Sequence, residues 1–82
     1  MNKGEGRLKR VRWKSRRGMK ELDVLFERFL LQQQTTLIAG AWPQFEELLD
    51  AEDTTLFDWI SGRNLPADES LLTLIDAIKS GT

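Results

Sequence analysis

Apolar residues in the stretch 19–34 recur at helical spacing. Met19, Leu22, Phe26, Phe29 and Leu30 lie three and four apart, with Leu25 at the edge of the stripe. That period matches 3.6 residues per turn and is incompatible with the alternation of a half-buried strand, so the segment is expected to form the central helix of a helical core. The rest of the chain keeps the same period. Leu8 and Val11 suit the buried side of a short first helix with Trp13 near its end. Trp42, Phe45, Leu48 and Leu49 suit a third helix with Pro43 in its first turn. Leu56, Phe57 and Ile60 form a fourth, with Asp53 as N-cap and Gly62 as left-handed stop. Leu71, Leu74, Ile75 and Ile78 form a fifth, with Asp68 near its cap. Thr35, Thr36 and Gly40 read as an irregular link in which Leu37 and Ile38 help cover the core. The expectation is an all-α fold, a compact five-helix bundle in a single small domain: residues 1–6 form a flexible N-terminal tail with two glycines, and residues 7–82 the helical domain.

With 82 residues the core is large enough to fold alone and leaves little room for a buried catalytic pocket. The chain has no cysteine and no histidine. Disulfides, thiolate metal sites and a cysteine nucleophile are excluded, as are the commonest acid/base group near neutral pH and the commonest metal ligand. The paired acids Glu46/Glu47 and Glu52/Asp53 lie on or beside short helices, where carboxylates ordinarily form a solvated face. The expectation is therefore no enzyme, no catalytic residue and no bound metal. No run approaches the roughly 18–20 consecutive apolar residues that cross a bilayer, and the basic N-terminus leads into no apolar signal core. A cytoplasmic protein without membrane insertion is expected.

The net charge of −1 conceals a strong asymmetry. Residues 1–20 carry nine lysines and arginines against Glu5, about +8, whereas residues 21–82 carry three against twelve acids, about −9. Charge alone admits a nucleic-acid-binding reading, in which Arg7, Lys9, Arg10, Arg12, Lys14, Arg16 and Arg17 grip phosphates and Trp13 stacks on a base. The acidic remainder and the lack of an assignable recognition helix argue against it. Within the basic run, Arg17 and Glu21 stand four apart, the spacing of an ordinary intrahelical ion pair worth about 0.2–0.5 kcal/mol. Gly18 fits that reading poorly, because glycine inside a helix costs roughly 0.8–1 kcal/mol relative to alanine. Two explanations stay open: a helix start or kink, or a place where another protein's backbone approaches closely.

The string Arg10-Val11-Arg12-Trp13-Lys14-Ser15-Arg16-Arg17-Gly18-Met19-Lys20-Glu21-Leu22-Asp23 resembles the signature of the succinate dehydrogenase assembly factor 2 family, the bacterial FAD assembly factors. The Arg-Gly-x-x-Glu hallmark falls on Arg17, Gly18 and Glu21. The likeness continues through Phe29, residues 45–49, Asp53, residues 56–59, Gly62, residues 66–68 and Leu74-Ile75. It implies a five-helix bundle, a monomer, that binds the flavoprotein subunit of succinate dehydrogenase, and often that of fumarate reductase, and promotes covalent attachment of FAD to a histidine of that client. The chain itself then holds no cofactor, the FAD being handled through the client. Arg17, Gly18 and Glu21 carry over as partner-binding residues, with Arg10, Trp13, Arg16 and Asp23 as supporting contacts. An antitoxin-like label also attaches to some members, and these residues neither support nor exclude it. The chain departs from the family pattern at residues 37–43, which puts the start of the third helix in question.

Overall fold

In a computed structural model that describes residues 3–80, the chain forms α1 (Lys3–Lys14), α2 (Lys20–Gln32), α3 (Gln34–Ile38), α4 (Phe45–Leu49), α5 (Asp53–Ser61) and α6 (Glu69–Ser80), with no strand among the described residues. None of these helices is long and apolar enough to cross a membrane. The stripe predicted from periodicity is the core. Leu22, Phe26, Phe29 and Leu30 of α2 are buried together with Leu8 and Val11 of α1, Phe45, Leu48 and Leu49 of α4, Leu56 of α5 and four aliphatic residues of α6. Phe29 packs edge-on against Phe45 at 5.3 Å and against Trp42 at 5.7 Å, the geometry in which the positive edge of one ring meets the negative face of another. The radius of gyration, 12.0 Å, equals the roughly 12 Å of a compact 82-residue domain.

Six helices replace the expected five, and the additional one is α3, where the composition suggested an irregular link. A five-residue helix is far too short to be stable in isolation and too short for a periodicity window to register. Tertiary contacts make it. Leu37 is fully buried, and the Arg7 side chain of α1 donates from Nη1 to the carbonyls of Leu37 (2.7 Å) and Ala41 (2.6 Å) and from Nη2 to that of Trp42 (2.5 Å). The carbonyls of Leu37 and Trp42 also accept the backbone N–H of Gly40 and Phe45, so the guanidinium adds a second donor to these two and supplies one to Ala41. The same clamp holds Trp42 at φ 56°, a conformation rare for a bulky residue. Its indole Nε1 donates to Gln33 Oε1 at 3.2 Å.

Three further expectations change. Of the supposed tail, residues 3–6 belong to α1, and at Gly4 a Cβ would run into the carbonyl oxygen of Ile38; residues 1 and 2 lie outside the described ones. The third helix of the sequence reading is shorter than expected, with Trp42 and Pro43 ahead of its first residue, Phe45. Asp53 is not an N-cap. Glu52 takes that position without a side-chain bond, and Asp53 is the first residue of α5. Gly62, in contrast, ends α5 at φ 82° as its position implied.

Asp68 stands before α6 as anticipated. Its Oδ1 accepts from the Ser70 hydroxyl (2.7 Å) and the Ser70 backbone N–H (2.9 Å), and these bonds favour the ionised form and hold the carboxyl below its ordinary value of 3.8. A group depressed in the folded chain stabilises it above the unfolded value and loses that contribution as pH falls through the folded one. The gap in urea midpoint between the native chain and Asp68→Asn should therefore be present at neutral pH and close well below 3.8. A gap independent of pH would show that the carboxylate charge is irrelevant.

Candidate functional site

Arg7, Arg10, Lys14 and Arg17 are spaced three, four and three apart, which places them along one side of α1 and its C-terminal extension. Glu46, Asp50 and Asp53, on α4 and its continuation into α5, repeat the last two of those spacings. The two rows meet. Arg10 Nε lies 2.8 Å from Glu46 Oε1, Lys14 Nζ 3.1 Å from Asp50 Oδ1, and Arg17 Nη1 3.1 Å from Asp53 Oδ1. The first two pairs are the exposed kind that contributes about 0.2–1 kcal/mol each and is weakened by salt, so their main effect is to fix the register of α1 on α4. The charge asymmetry of the sequence is therefore partly internal. Four cations of the basic run are engaged by the fold itself, while Lys9, Arg12, Arg16 and Lys20 face solvent among the described residues. That reduces the number of cations a nucleic-acid phosphate could meet.

The connection between α1 and α2 is built on Arg17. Its side chain is only 15% exposed and its Nη1 also donates to the carbonyl of Ala51 at 2.9 Å, while its backbone N–H donates to Asp23 Oδ1 at 2.9 Å. Ser15, nearly fully buried, donates its hydroxyl to the carbonyl of Arg12. Between these anchors Gly18 turns at φ 79° and Met19 is extended ahead of the first turn of α2. Residues 15–19 are not helical, so Arg17 and Glu21 do not share a helical face, and glycine is not in a helix interior. Of the two explanations left open for Gly18, the helix start is what its backbone conformation requires, since a left-handed residue with a side chain costs about 1–2 kcal/mol. No atom lies within 4 Å of where its Cβ would be, so the position is also open to solvent.

The seven residues singled out from the sequence thus separate into three groups. Trp13, Arg16, Gly18 and Glu21 are exposed on a ridge around the α1–α2 joint, and Trp13 is 80% exposed, far more than the half-buried Trp42 and Trp59. Arg17 and Asp23 face inward and hold the joint. Arg10 is exposed but engaged with Glu46. On one flank of the ridge a shallow hollow of about 290 Å³ opens beside Trp13, Lys14 and Asp50. On the other flank a groove of about 540 Å³ runs between α1 and α2, and Arg16 borders both. Sequence reasoning did not single out the groove residues Glu27 and Leu31. The structural role of Arg7 was missed too, and so was the helix pairing that the matching spacings of Arg10, Lys14 and Arg17 with Glu46, Asp50 and Asp53 made readable. No group of three or more histidine, cysteine or carboxylate residues suited to a metal ion occurs among the described residues.

The sequence model of the family described as "Flavinator of succinate dehydrogenase" matches residues 9–82. The FAD assembly factor SdhE of Coxiella burnetii is 39% identical over 71 residues, which are 87% of this chain and 87% of that protein. The FAD assembly factor SdhE of Pseudomonas aeruginosa is 40% identical over 74 residues, 90% of this chain and 88% of the relative. That of Xylella fastidiosa is 38% identical over 73 residues, 89% and 75% of the two chains. No solved structure matches. With the family pattern running from residue 9 to the end of the chain and covering the whole α1–α2 joint, the protein belongs to the flavinator of succinate dehydrogenase family, the FAD assembly factors.

Proposed function

We propose that this chain docks on the flavoprotein subunit of succinate dehydrogenase through the ridge of residues 13–21 and promotes covalent attachment of FAD to that subunit without contributing a reacting group. The observation that supports the docking surface best is Trp13, a large aromatic side chain left 80% exposed beside Arg16 on a joint that Arg17 and Asp23 hold in place. Exposed tryptophan and arginine on a preorganised surface are the residue types that dominate binding energy at protein interfaces. The groove beside the ridge does not suit the FAD itself. Carboxylates of Asp23 and Glu27 line it along with the arginines, which opposes a pyrophosphate, and no aromatic side chain is there to stack on the flavin ring. The chain also has no histidine or cysteine to carry a flavin bond. The reading is therefore of a chaperone that selects one conformation of its client, in which the client's own residues complete the linkage. In the same reading it acts as a single copy in the cytoplasm, and the flavoprotein of fumarate reductase is a second client.

Trp13→Ala should weaken binding to the purified flavoprotein subunit at least about tenfold, equivalent to roughly 1.4 kcal/mol. Its helical circular dichroism should be unchanged, because the side chain contributes little to the core. Gly18→Arg should abolish docking while retaining the helices, and Gly18→Asn, which tolerates the left-handed conformation better, should fold like the native chain. Native-like affinity of both Trp13→Ala and Gly18→Arg would overturn the assignment of the ridge. Undiminished covalent flavin in cells lacking this protein and any redundant factor would overturn the function itself.

A further inference from the structure

α1 packs chiefly on α3 and α4, whereas α2 packs on α6 and α3, so the two consecutive helices diverge from their joint and leave the groove of about 540 Å³ between them. Its walls differ in sign. Arg12 and Arg16 line the α1 side, and Asp23 and Glu27, one turn apart, line the α2 side. Leu30 forms an apolar floor and Leu31, 64% exposed, an apolar rim at one end. Among the described residues the side chains of Arg12, Arg16 and Glu27 make no hydrogen bond or ion pair, and Asp23 spends one carboxylate oxygen on the Arg17 backbone. Elsewhere on α1 the cations do close onto acids across a helix interface. Here opposite charges face each other across a gap that the fold leaves open.

We infer that this groove is a second docking element, specific for an extended segment of the flavoprotein client in which an acidic and a basic residue are adjacent and an aliphatic one follows them. The inference rests on the client reading above. An extended chain sends successive side chains to opposite sides, so such a segment directs its carboxylate to Arg12 and Arg16 and its cation to Asp23 and Glu27. The aliphatic side chain covers Leu30 and Leu31. Two walls of opposite sign also fix the direction in which the segment lies, because the reversed segment places like charges together. The ridge then supplies an aromatic anchor and the groove supplies the choice of client.

Two charge reversals, Arg12→Glu and Glu27→Lys, test this by titration into the purified flavoprotein subunit, with Trp13→Ala in parallel. Each reversal should weaken binding about tenfold, with native circular dichroism. A photoreactive benzophenone side chain at Leu31 should cross-link a client peptide that contains an acid, an aliphatic residue and a base in close succession. Should Trp13→Ala lose affinity while both reversals bind like the native chain, the groove is not a docking element and the client reading stands. A cross-link to a second copy of this chain, or to a client segment without the acid, would likewise overturn the groove assignment. If the native chain itself fails to bind the flavoprotein, the client reading falls and this inference with it. Because the cross-link is made on the native charge pattern, a reversal that unfolded the chain would still leave a decisive measurement.

Discussion

Arg7→Met is expected to lower the unfolding free energy by about 2–4 kcal/mol, although Arg7 lies outside the ridge and outside the family hallmark. Its guanidinium is the common donor to the carbonyls of Leu37, Ala41 and Trp42. Charge-assisted hydrogen bonds contribute roughly 1.5–3 kcal/mol, and the Ala41 carbonyl, unlike those of Leu37 and Trp42, keeps no backbone donor when the guanidinium is removed. The methionine variant keeps most of the apolar stem, so packing loss is small and the measured change reports the lost bonds. Arg7→Lys should recover only part of it, because one ammonium cannot present the planar fork that reaches three acceptors. Urea unfolding checks this directly. A midpoint within error of the native one would mean that the α3 terminus does not depend on the clamp. A loss would also explain why α3, lacking intrinsic stability, is a helix at all.

Phe45→Ala should be at least as damaging, at about 3–5 kcal/mol, the usual range for deleting a buried aromatic ring. Phe45 is fully buried and packs on two other rings, Phe29 at 5.3 Å and Phe26 at 6.3 Å, so the vacated space is walled by two rigid rings that cannot readily collapse. For 82 residues a total stability of roughly 4–12 kcal/mol is typical, so the variant should stand near the edge of folding. Helical circular dichroism should melt at a markedly lower temperature, and docking should fail with it. Phe45 is adjacent to Glu46, the partner of Arg10, so disorder in α4 also releases one of the ties that orient α1. Phe45→Leu, which leaves a smaller void, should lose less. A shift under about 1 kcal/mol for the alanine variant would show that the core repacks around the void.

The residues that were legible in advance share one property: their signal is local. The stripe from Leu22 to Leu30, the left-handed stop at Gly62 and the carboxylate ahead of α6 at Asp68 each follow from residues within a few positions of one another. Two kinds of reading changed, one set by a partner far away in the chain and one by the backbone path between two helices. Asp53 has the composition of an N-cap and a neighbour in Arg17, thirty-six residues upstream, that draws its carboxylate elsewhere. Gly18 looked costly because the period of α2 was extended through it, and the chain in fact enters α2 only after a left-handed turn. The family signature marks a contiguous region, but it could not separate Trp13 and Arg16, which face solvent, from Arg17 and Asp23, which hold the joint.

By itself the sequence determined an all-helical core, a chain without histidine or cysteine chemistry, and a basic run joined to an acidic remainder. These are properties of period and composition, and period and composition are complete before the chain folds. The tertiary structure decided which cations remain available. Burial of Leu8 and Val11 sets the rotation of α1 about its axis, and that rotation turns Arg7, Arg10, Lys14 and Arg17 toward the carbonyls and acids of the segment 37–53 while Arg12, Trp13 and Arg16 face outward. A one-residue step along a helix is about 100°, so neighbouring residues of one basic run become a structural tie and a solvent-facing surface.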